Sequence, residues 1–504
     1  MALAQAWSVA LFGMDGRMVE IEADIGKGAS KMVIVGLPDA ALNEAKDRVH
    51  AAVRNSNEDW PKQQITVALS PAAVRKNGSG YDLALACVIL AAARAVPTDL
   101  VRTTVMIGEL ALDGRIREVR GILPCLLAAR RAGVKRAVVP ASALSEAALV
   151  TGMDVFGAAE LKSVLDWLRG QEDALEMPSP QEAPVAEDLP DLADVVGQPE
   201  ARWALEVAAA GGHHLLLVGP PGTGKTMLAR RLPSLLPPLT HEQSLEVTAV
   251  HSVAGLLKPE APLITTPPFF APHHTTSVSA LVGGGVGLAK PGGISRAHRG
   301  VVFLDEACEF APDRLESLRT AMEEGEIRLA RRDGVVCYPA RFQLVLATNP
   351  CPCAPPRETE CSCPPNARRR YFAKLSGPFM DRVDLRVRMR PLTAMSTVDG
   401  AEPEKTDEVR ARVWRARERA RQRWAEHRWT TNAEVPGPSL WREFALPRKA
   451  TALLDRGLHS GALTGRGADR CLRVAWTLAD LAGVERPEAD HVAAALEFRD
   501  RRAA

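Results

Sequence analysis

The segment from residue 219 to residue 226 constrains the fold more than any other part of this 504-residue chain. It follows the pattern G-x-x-x-x-G-K-[ST], in which glycines let successive backbone N–H groups point at one anion. An apolar run over 214–218 precedes it and a helical pattern over 227–236 follows it. This is the strand–loop–helix order of a triphosphate-binding loop. A chance glycine-rich turn is the alternative, and the register of all three parts argues against it.

The loop predicts the contacts to ATP and Mg²⁺. Lys225 is expected to reach the β- and γ-phosphates, and the hydroxyl of Thr226 is expected to ligate Mg²⁺. The N-terminus of the following helix would face the phosphates. The predicted nucleotide-binding residues in this segment are Gly219, Pro220, Pro221, Gly222, Thr223, Gly224, Lys225, Thr226 and Met227.

Two carboxylates follow a second apolar run. Residues 301–304 are all apolar and lead directly to Asp305 and Glu306, which is typical of a buried parallel strand that delivers acids at its carboxyl end. Asp305 is predicted to bind the nucleotide through its Mg²⁺, and Glu306 to polarise the attacking water. An acidic pair can instead cap a helix, but a separation of about eighty residues from the loop is usual within one nucleotide-binding sheet.

A third apolar run and two late arginines extend the predicted site. Residues 342–348 end at Asn349, whose amide could position the water beside the γ-phosphate. Arg382 is a candidate arginine finger that enters the site of a neighbouring subunit and neutralises transition-state charge. Arg473 is predicted to return to the same nucleotide from a C-terminal helix, with Arg470 as the reserve choice.

In this order the motifs are similar to those of an AAA+ ATPase. The segments 271–277, 291–295 and 375–385 resemble the magnesium-chelatase-like YifB/ComM family more closely, and the resemblance covers nearly the whole chain. It implies a P-loop NTPase core with a helical C-terminal lid, assembled as a ring that is a hexamer. It also implies a motor that drives branch migration of DNA junctions during natural transformation.

The first domain, residues 1–168, has a mixed pattern of strands and helices that predicts an α+β or α/β fold. Residues 77–82 and 108–114 resemble the proteolytic domain of Lon, a ribosomal S5 domain 2-like fold with a Ser–Lys dyad. Gly80 stands where that family has its serine, and Leu123 where it has its lysine. A nucleophile without its base is not activated, and nothing pairs Ser79 with Lys76. We therefore predict a Lon-like domain without peptidase activity, whose role is binding or ring assembly.

Composition divides the rest of the chain. Residues 170–201 contain no Lys or Arg and mix acids with prolines, which predicts an extended linker over 169–190. An AAA+ core over 191–392 follows, with a helix-2-type insertion and a cysteine-rich loop, and then a helical lid over 393–504. The net charge of +2 leaves any DNA contact to local basic patches. No apolar run could span a bilayer and no signal peptide is evident, so we predict a cytoplasmic protein with no membrane contact.

Four of the nine cysteines lie close together in sequence. Cys351, Cys353, Cys361 and Cys363 form two Cys-x-Cys pairs within thirteen residues of a proline-rich loop. Four thiolates at this spacing could hold a tetrahedral Zn²⁺. Unliganded loop cysteines are the alternative, because the spacing is not the commoner Cys-x₂-Cys.

Two basic regions are candidate DNA contacts. In the insertion between residues 240 and 295, and just after it, Lys290, Arg296 and Arg299 could meet phosphates, or could belong to an ordinary surface loop. Within the same insertion, His273 and His274 suit a structural or DNA-loop role better than metal ligation. The segment 407–428 carries eight arginines against four acids, with tryptophans interspersed. It predicts either a nucleic-acid stripe or a solvated helix face with tryptophans packed inward.

These predictions combine into an ATP-driven ring motor acting on single-stranded or branched DNA. One alternative is a magnesium-chelatase-like ATPase subunit that drives metal insertion through a larger partner. The other is a protein-remodelling AAA+ chaperone that recruits polypeptide through the N-terminal domain.

Overall fold

The structure is a computed structural model that describes residues 2–36, 40–71, 78–179, 189–285, 289–331, 334–357, 360–391 and 403–500. Within these ranges the chain forms an N-terminal domain on a seven-stranded sheet, a second domain on a five-stranded sheet, and a C-terminal group of helices. The predicted α/β fold class is confirmed. In the described residues, no helix has both the length and the apolar character that crossing a bilayer requires.

The N-terminal sheet has the strand order β3-β4-β2-β1-β5-β8-β9. β1 and β2 form an antiparallel hairpin that turns at Gly13, where a φ of +64° favours glycine. All residues of α2 are buried, which explains the long apolar run in this part of the sequence. The strands are β1 Ala2–Phe12, β2 Asp15–Gly26, β3 Lys31–Val35, β4 Gln64–Ser70, β5 Thr104–Met106, β6 Glu109–Leu110, β7 Ile116–Arg117, β8 Arg136–Pro140 and β9 Asp154–Ala158. The helices are α1 Ala40–Asn55, α2 Asp82–Ala92, α3 Thr98–Thr103, α4 Ile122–Arg131, α5 Leu144–Ala147 and α6 Leu161–Leu168.

The first part of the predicted linker packs on this domain. Leu175 is buried in the N-terminal core, and the backbone of Glu176 exchanges two hydrogen bonds with Gly157 of β9. These residues are therefore not an extended tether. Residues 180–188 of the linker lie outside the described residues, and at residue 192 the chain enters the core of the second domain.

The second domain contains an all-parallel sheet with the order β11-β14-β17-β10-β18. The apolar runs at 214–218, 301–304 and 342–348 form its inner strands, as predicted, and their carboxyl ends meet at one edge. The strands here are β10 Leu215–Val218, β11 Phe269–Phe270, β12 Gly283–Gly284, β13 Lys290–Pro291, β14 Val301–Leu304, β15 Glu326–Arg331, β16 Gly334–Pro339, β17 Gln343–Thr348 and β18 Leu385–Arg388.

The helix predicted over 227–236 is interrupted. It is replaced by α8 and α9, because Pro233 has no N–H to donate to the carbonyl of Ala229. The helices of this domain are α7 Pro199–Gly211, α8 Lys225–Ala229, α9 Leu232–Leu235, α10 His241–Ala254, α11 Val278–Val282, α12 Gly293–Arg296, α13 Pro312–Glu324, α14 Pro365–Ala373 and α15 Gly377–Met380.

The C-terminal lid packs against one face of the second domain. Trp424 is fully buried and meets Trp476 edge-on in a core that also contains residues of β10 and α7. The lid helices are α16 Thr406–Arg423, α17 Gly437–Trp441, α18 Arg448–His459, α19 Gly465–Ala482 and α20 Ala489–Asp500. The boundary predicted at 392/393 lies in the stretch between residues 391 and 403, outside the described residues.

Candidate active site

The loop after β10 has the shape of a phosphate cradle. Gly222 and Gly224 adopt φ values of +77° and +87°, which a Cβ would strain. Thr223 closes the turn by donating its hydroxyl to the carbonyl of Pro220 at 2.9 Å. α8 starts at Lys225, so the backbone N–H groups of its first turn have no partner within the helix.

Lys225 lies at the centre of the loop. Its Nζ donates to the carbonyls of Gly219 at 2.5 Å and Pro220 at 2.8 Å, and to Oδ1 of Asn349 at 3.2 Å. Burial lowers the pKa of this ammonium, while the charges of Asp305 and Glu306 raise it. The N–H donors of Lys225 are thus held at the loop by the carbonyl oxygens of Gly219 and Pro220. Oxygens of a bound triphosphate could replace these carbonyl oxygens as acceptors.

Thr226 and Asp305 form a pair of hard oxygen ligands. The hydroxyl of Thr226 donates to Oδ2 of Asp305 at 2.6 Å, across the space between the phosphate loop and the end of β14. One hydroxyl and one carboxylate are the donor set that Mg²⁺ uses beside a bound triphosphate. The residues present therefore fit Mg²⁺.

Glu306 projects from a turn in which its own φ is +51°. Its side chain is 55% exposed, and its backbone N–H donates to Oδ1 of Asp305 at 3.0 Å. A histidine also lies beside it, with Nδ1 of His274 3.7 Å from Oε2 of Glu306. The sequence had not connected His274 with Glu306, because 32 positions separate them.

The structure thus brings Lys225, Thr226, Asp305 and Asn349 into contact and places Glu306 beside them. The three predicted arginines lie elsewhere. Arg382, Arg470 and Arg473 line a cleft of 1060 Å³ between the second domain and the lid, and none of the residues 219–226 lines it. Arg473 therefore lies apart from the phosphate loop of its own chain, and its role at a nucleotide stays a prediction.

Each of these arginines has partners in the cleft. Arg382 is buried and forms an ion pair with Glu323. Arg470 pairs with the buried Asp384, and Nε of Arg473 donates to the carbonyl of Val435 at 2.7 Å. Arg473 therefore contacts the lid, and Arg470 links the lid to the residue that precedes β18.

Arg466 is an exposed residue of the same cleft that the sequence reasoning missed. Burial lowers the pKa of Arg382, and the positive charges of Arg319, Arg466 and Arg470 lower it further. Arg319, Arg466 and Arg470 therefore surround Arg382, and acidic side chains balance three of the four charges. The sequence could have identified Arg466 as a further candidate, because it lies at the start of the helix that also carries Arg470 and Arg473.

The four predicted zinc ligands converge. The Sγ atoms of Cys351, Cys353 and Cys361 lie 3.3–3.5 Å from one another, and all four ligand atoms, including that of Cys363, lie within 4.8 Å. A tetrahedral Zn²⁺ with Zn–S bonds of about 2.3 Å separates its sulfurs by about 3.8 Å. A hydrogen bond from the backbone of Cys363 lowers the pKa of Cys361 to about 6, which favours the thiolate that binds metal. The cluster therefore fits Zn²⁺.

The three cations predicted to contact DNA in and after the insertion differ in how exposed they are and in their present partners. Lys290 is exposed on β13. Arg296 lies over the ring of Phe270 at 5.4 Å, and Arg299 donates to Glu246 at 3.0 Å. Lys290 is therefore the freest of the three cations.

The arginines of α16 mostly face inward. Arg412 forms two hydrogen bonds with the buried Glu206, and Arg423 pairs with the buried Asp480. Nε of Arg417 donates to a backbone carbonyl of α7 at 2.7 Å. The helix also ends at residue 423 rather than 428. These contacts favour the packed-helix alternative, but here it is arginines that face inward, whereas Trp414 of the same helix is 41% exposed.

The structure describes the two positions that were predicted to replace the Lon-type dyad. Leu123 is fully buried in the apolar core of the N-terminal domain, and Gly80 packs against Val119. Ser79 donates its hydroxyl to the carboxylate of Glu109. Lys76 lies outside the described residues.

The fold and this site define the class: a P-loop protein with the AAA+ strand order, in which a lysine, a hydroxyl, two acids and an amide meet at one sheet edge. The chain belongs to the magnesium-chelatase-like YifB/ComM family. Residues 191–397 match the family profile "Magnesium chelatase, subunit ChlI", residues 21–143 match "Subunit ChlI of Mg-chelatase", and residues 403–499 match the ChlI C-terminal profile.

Three of the relatives described here match along nearly the full length of the chain, and a fourth matches only part of it. An uncharacterized protein of Mycobacterium tuberculosis is 58% identical over 500 residues, 99% of both chains. The competence protein ComM of Haemophilus influenzae is 38% identical over 99% of this chain and 98% of its own. The uncharacterized protein YifB of Escherichia coli is 38% identical over 99% and 97%. A peroxisomal Lon protease homologue of Caenorhabditis briggsae is 31% identical over 32% of this chain and 22% of its own.

Proposed function

We propose that the protein is an ATP-hydrolysing ring motor, a hexamer, that acts on single-stranded or branched DNA. The observation that carries the proposal is the convergence of Lys225, Thr226, Asp305 and Asn349 at one sheet edge, with Glu306 beside them. The name of the relative ComM, a competence protein, supports a role in DNA processing during transformation. Branch migration of DNA junctions is the activity we assign.

Each residue of the site has a distinct task in hydrolysis. Mg²⁺ beside the triphosphate neutralises phosphate charge when bound, and Thr226 and Asp305 would hold it. Lys225 balances the charge of the β- and γ-phosphates. Glu306 accepts a hydrogen bond from the attacking water and orients it, and Asn349 fixes that water from the other side.

Completion of the site requires a second copy of the chain in this proposal. The arginine cluster around Arg382 is separated from residues 219–226 of its own chain, so it would serve the triphosphate of a neighbour. A guanidinium in that position stabilises transition-state charge and is worth about 10³–10⁵ in rate. Arg466 and Arg470 are the additional cations of the cleft, and Arg473 supports them from the lid.

A subunit-mixing experiment tests the composite site. Lys225→Ala removes nucleotide binding and Arg382→Ala removes the cation supplied to the neighbour, so each variant alone should lack ATPase activity. Mixed in equal amounts, they should regain activity at about one site in four, where an intact loop meets an intact arginine. Lys225→Ala mixed with Glu306→Gln is the matched control and should regain nothing, because both changes lie on the same side of the interface. No regain in the first mixture would contradict the composite site.

A DNA-stimulation assay tests the substrate. Four-way junction DNA should stimulate ATP turnover and be unwound, whereas unfolded protein should not stimulate it. Glu306→Gln should bind ATP without turnover, and Glu309→Gln, three residues further on and exposed, should turn over normally. Stimulation by unfolded protein alone would instead identify the chaperone alternative.

The cysteine cluster holds one Zn²⁺ in this proposal. Cys351 follows Asn349 by two residues and Cys363 precedes α14 by two, so the metal would brace the loop that leaves the active-site strand. Metal analysis of the purified chain should find one zinc per chain, which Cys361→Ser should remove and Cys337→Ser, a change of an exposed cysteine outside the cluster, should keep. Wild-type protein purified without chelator and found free of metal would refute the zinc site.

A further inference from the structure

Asp384 connects the lid to the nucleotide-binding sheet. It comes directly before β18, and its side chain is only 2% exposed. Its Oδ2 atom accepts the backbone N–H of His214 at 3.1 Å, and its Oδ1 atom accepts a hydrogen bond from Nη1 of Arg470 in α19 at 2.5 Å. The carbonyl of His214 in turn accepts the backbone N–H of Asp384 at 3.1 Å. One buried carboxylate therefore ties the residue before β10 to a lid helix.

The carboxylate of Asp384 is ionised despite its burial. Burial alone raises its pKa, but the positive charge of Arg470 lowers it well below the usual value. Because removing two charges from water costs about as much free energy as their attraction returns, the pair adds little to net stability. The definite result of the contact is positional, since the backbone of His214 holds the carboxylate and the carboxylate holds the guanidinium.

The same short segment carries Arg382, the predicted finger. The backbone N–H of Arg382 donates to the carbonyl of Phe379 at 3.0 Å, which continues the turn that ends α15. The next residue but one is Asp384, so the two side chains leave one closed turn. With Arg470 attached to Asp384, the guanidinium groups of Arg382 and Arg470 are fixed relative to each other, and both line the cleft.

Arg470 keeps hydrogen-bond donors for a ligand. Within the part of the chain that the structure describes, its guanidinium donates only through Nη1, to Asp384. Its side chain is 16% exposed and lines the cleft between the second domain and the lid. The ion pair is neutral as a whole, so it would act on an anion through its remaining oriented N–H groups. A guanidinium already held in place also loses less rotamer freedom on binding a phosphate than a free side chain does.

We propose that Asp384 is a positioning residue that holds Arg470 at the triphosphate bound by the neighbouring copy, at a fixed offset from Arg382. Donors that are already in place lower a barrier because they need not reorient when charge develops. A shift of such a group by about 1 Å costs about 100-fold in rate. The inference rests on the composite site of the proposed function, and it adds the residue that sets the geometry of its second cation.

ATP turnover by the full chain tests the role of Asp384. Asp384→Asn keeps the shape but exchanges one acceptor oxygen for an NH₂ group and removes the charge that holds Arg470. It should lower kcat by about 10- to 100-fold with KM for ATP nearly unchanged. Combined with Arg470→Ala, it should be no slower than Arg470→Ala alone, because the two residues act as one unit.

Subunit mixing shows on which side of the interface the defect lies. Mixed in equal amounts with Lys225→Ala, Asp384→Asn should regain activity, as Arg382→Ala should. Mixed with Arg382→Ala it should regain nothing, because both changes affect the same side. Asp480→Asn is the matched control: Asp480 is also buried and pairs with Arg423 of the lid, but neither residue lines the cleft. This control should lower stability in urea and leave kcat of the folded protein unchanged.

The outcomes separate this inference from the proposed function. An unchanged kcat in folded Asp384→Asn overturns the positioning role, as does a loss that simply adds to that of Arg470→Ala. Regain by Arg382→Ala but not by Asp384→Asn, each mixed with Lys225→Ala, overturns it as well. No regain in either mixture refutes the composite site, and the double variant alone then decides whether Asp384 acts through Arg470. Should Asp384→Asn fail to fold, Asp384→Glu, which keeps the charge and displaces Arg470 by one methylene, must show the loss of kcat.

Discussion

The stability of the nucleotide-binding sheet should depend on the protonation of His214. Nδ1 of His214 accepts a hydrogen bond from the backbone N–H of Leu344 at 3.0 Å, which joins the start of β10 to β17. Protonation turns that nitrogen into a donor and breaks the bond. Burial lowers the pKa of His214 to about 4; Asp384 raises it, and Arg470 and His213 lower it.

The sign and size of the effect follow from linkage. The unfolded chain binds the proton near pH 6.5 and the folded chain only near pH 4, so the stabilisation is complete above pH 6.5 and is lost as the pH falls from 6.5 to 4. Each pKa unit corresponds to about 1.4 kcal/mol. About 2 kcal/mol would be lost between pH 7 and pH 5, and partial solvent contact of the ring reduces this to about 1–2 kcal/mol.

The comparison of wild type with His214→Asn isolates this term. The Oδ1 atom of asparagine can accept the same hydrogen bond but does not titrate. Urea unfolding at pH 7, 6 and 5, followed by tryptophan fluorescence, should show the wild type losing about 1–2 kcal/mol more than the variant on acidification. Titration of all other groups is common to both proteins. Parallel loss of stability in the two proteins would show that His214 is not the group protonated.

Two further substitutions test the packing around the site. Gly300→Ala places a Cβ 2.0 Å from the carbonyl oxygen of Pro268, so it should displace β11. The free energy of unfolding in urea titrations should fall by about 1–3 kcal/mol, and basal ATP turnover should change. An unchanged free energy of unfolding would refute this close approach. Arg412→Ala leaves the buried Glu206 without its partner and should cost about 2 kcal/mol, less than a fully buried pair because Arg412 is one third exposed. Arg421→Ala, on the solvent side of the same helix, should change stability by less than about 0.5 kcal/mol; equal losses would contradict the inward orientation of Arg412.

The parts of the site that local pattern could predict are those at the ends of inner strands. A run of apolar residues that ends in polar ones specifies a buried strand and the edge at which its last residues lie. Lys225, Asp305 and Asn349 each follow such a run, so the sequence alone could place them together. The fold class could be predicted in the same way, from the apolar runs of the second domain.

The remaining features depend on contacts that no local pattern encodes. β11 has only two residues, too few for a strand pattern, so the approach of His274 to Glu306 was invisible. The charge of α16 is spread around the helix, and only the fold shows that Glu206 and Asp480, distant in sequence, neutralise its inner face. The position of Arg473 in its helix gives no information about which side of the sheet the side chain meets, so its place in the cleft could not be predicted.

Leu123 lies close to a contact between the N-terminal domain and the second domain. Glu146 accepts the backbone N–H of Leu123 at 2.7 Å and also the hydroxyl of Ser252, which lies on α10 of the second domain. Burial raises the pKa of Glu146, and Ala249 of α10 is buried in the core of the N-terminal domain. Leu123, the position predicted to correspond to the Lon-type lysine, thus lies beside an interface between the two domains.

The same interface bears on the insertion. α10 packs on α4 at one end of this segment, and the chain that leaves α10 at residue 255 continues to His274 beside Glu306. Nε2 of His251 meets the carbonyl of Arg296 at 2.9 Å, so the start and the end of the insertion are joined where the N-terminal domain docks. The N-terminal domain therefore holds the base of the loop whose His274 lies beside Glu306. Weaker packing between α10 and α4 would loosen both ends of the insertion together.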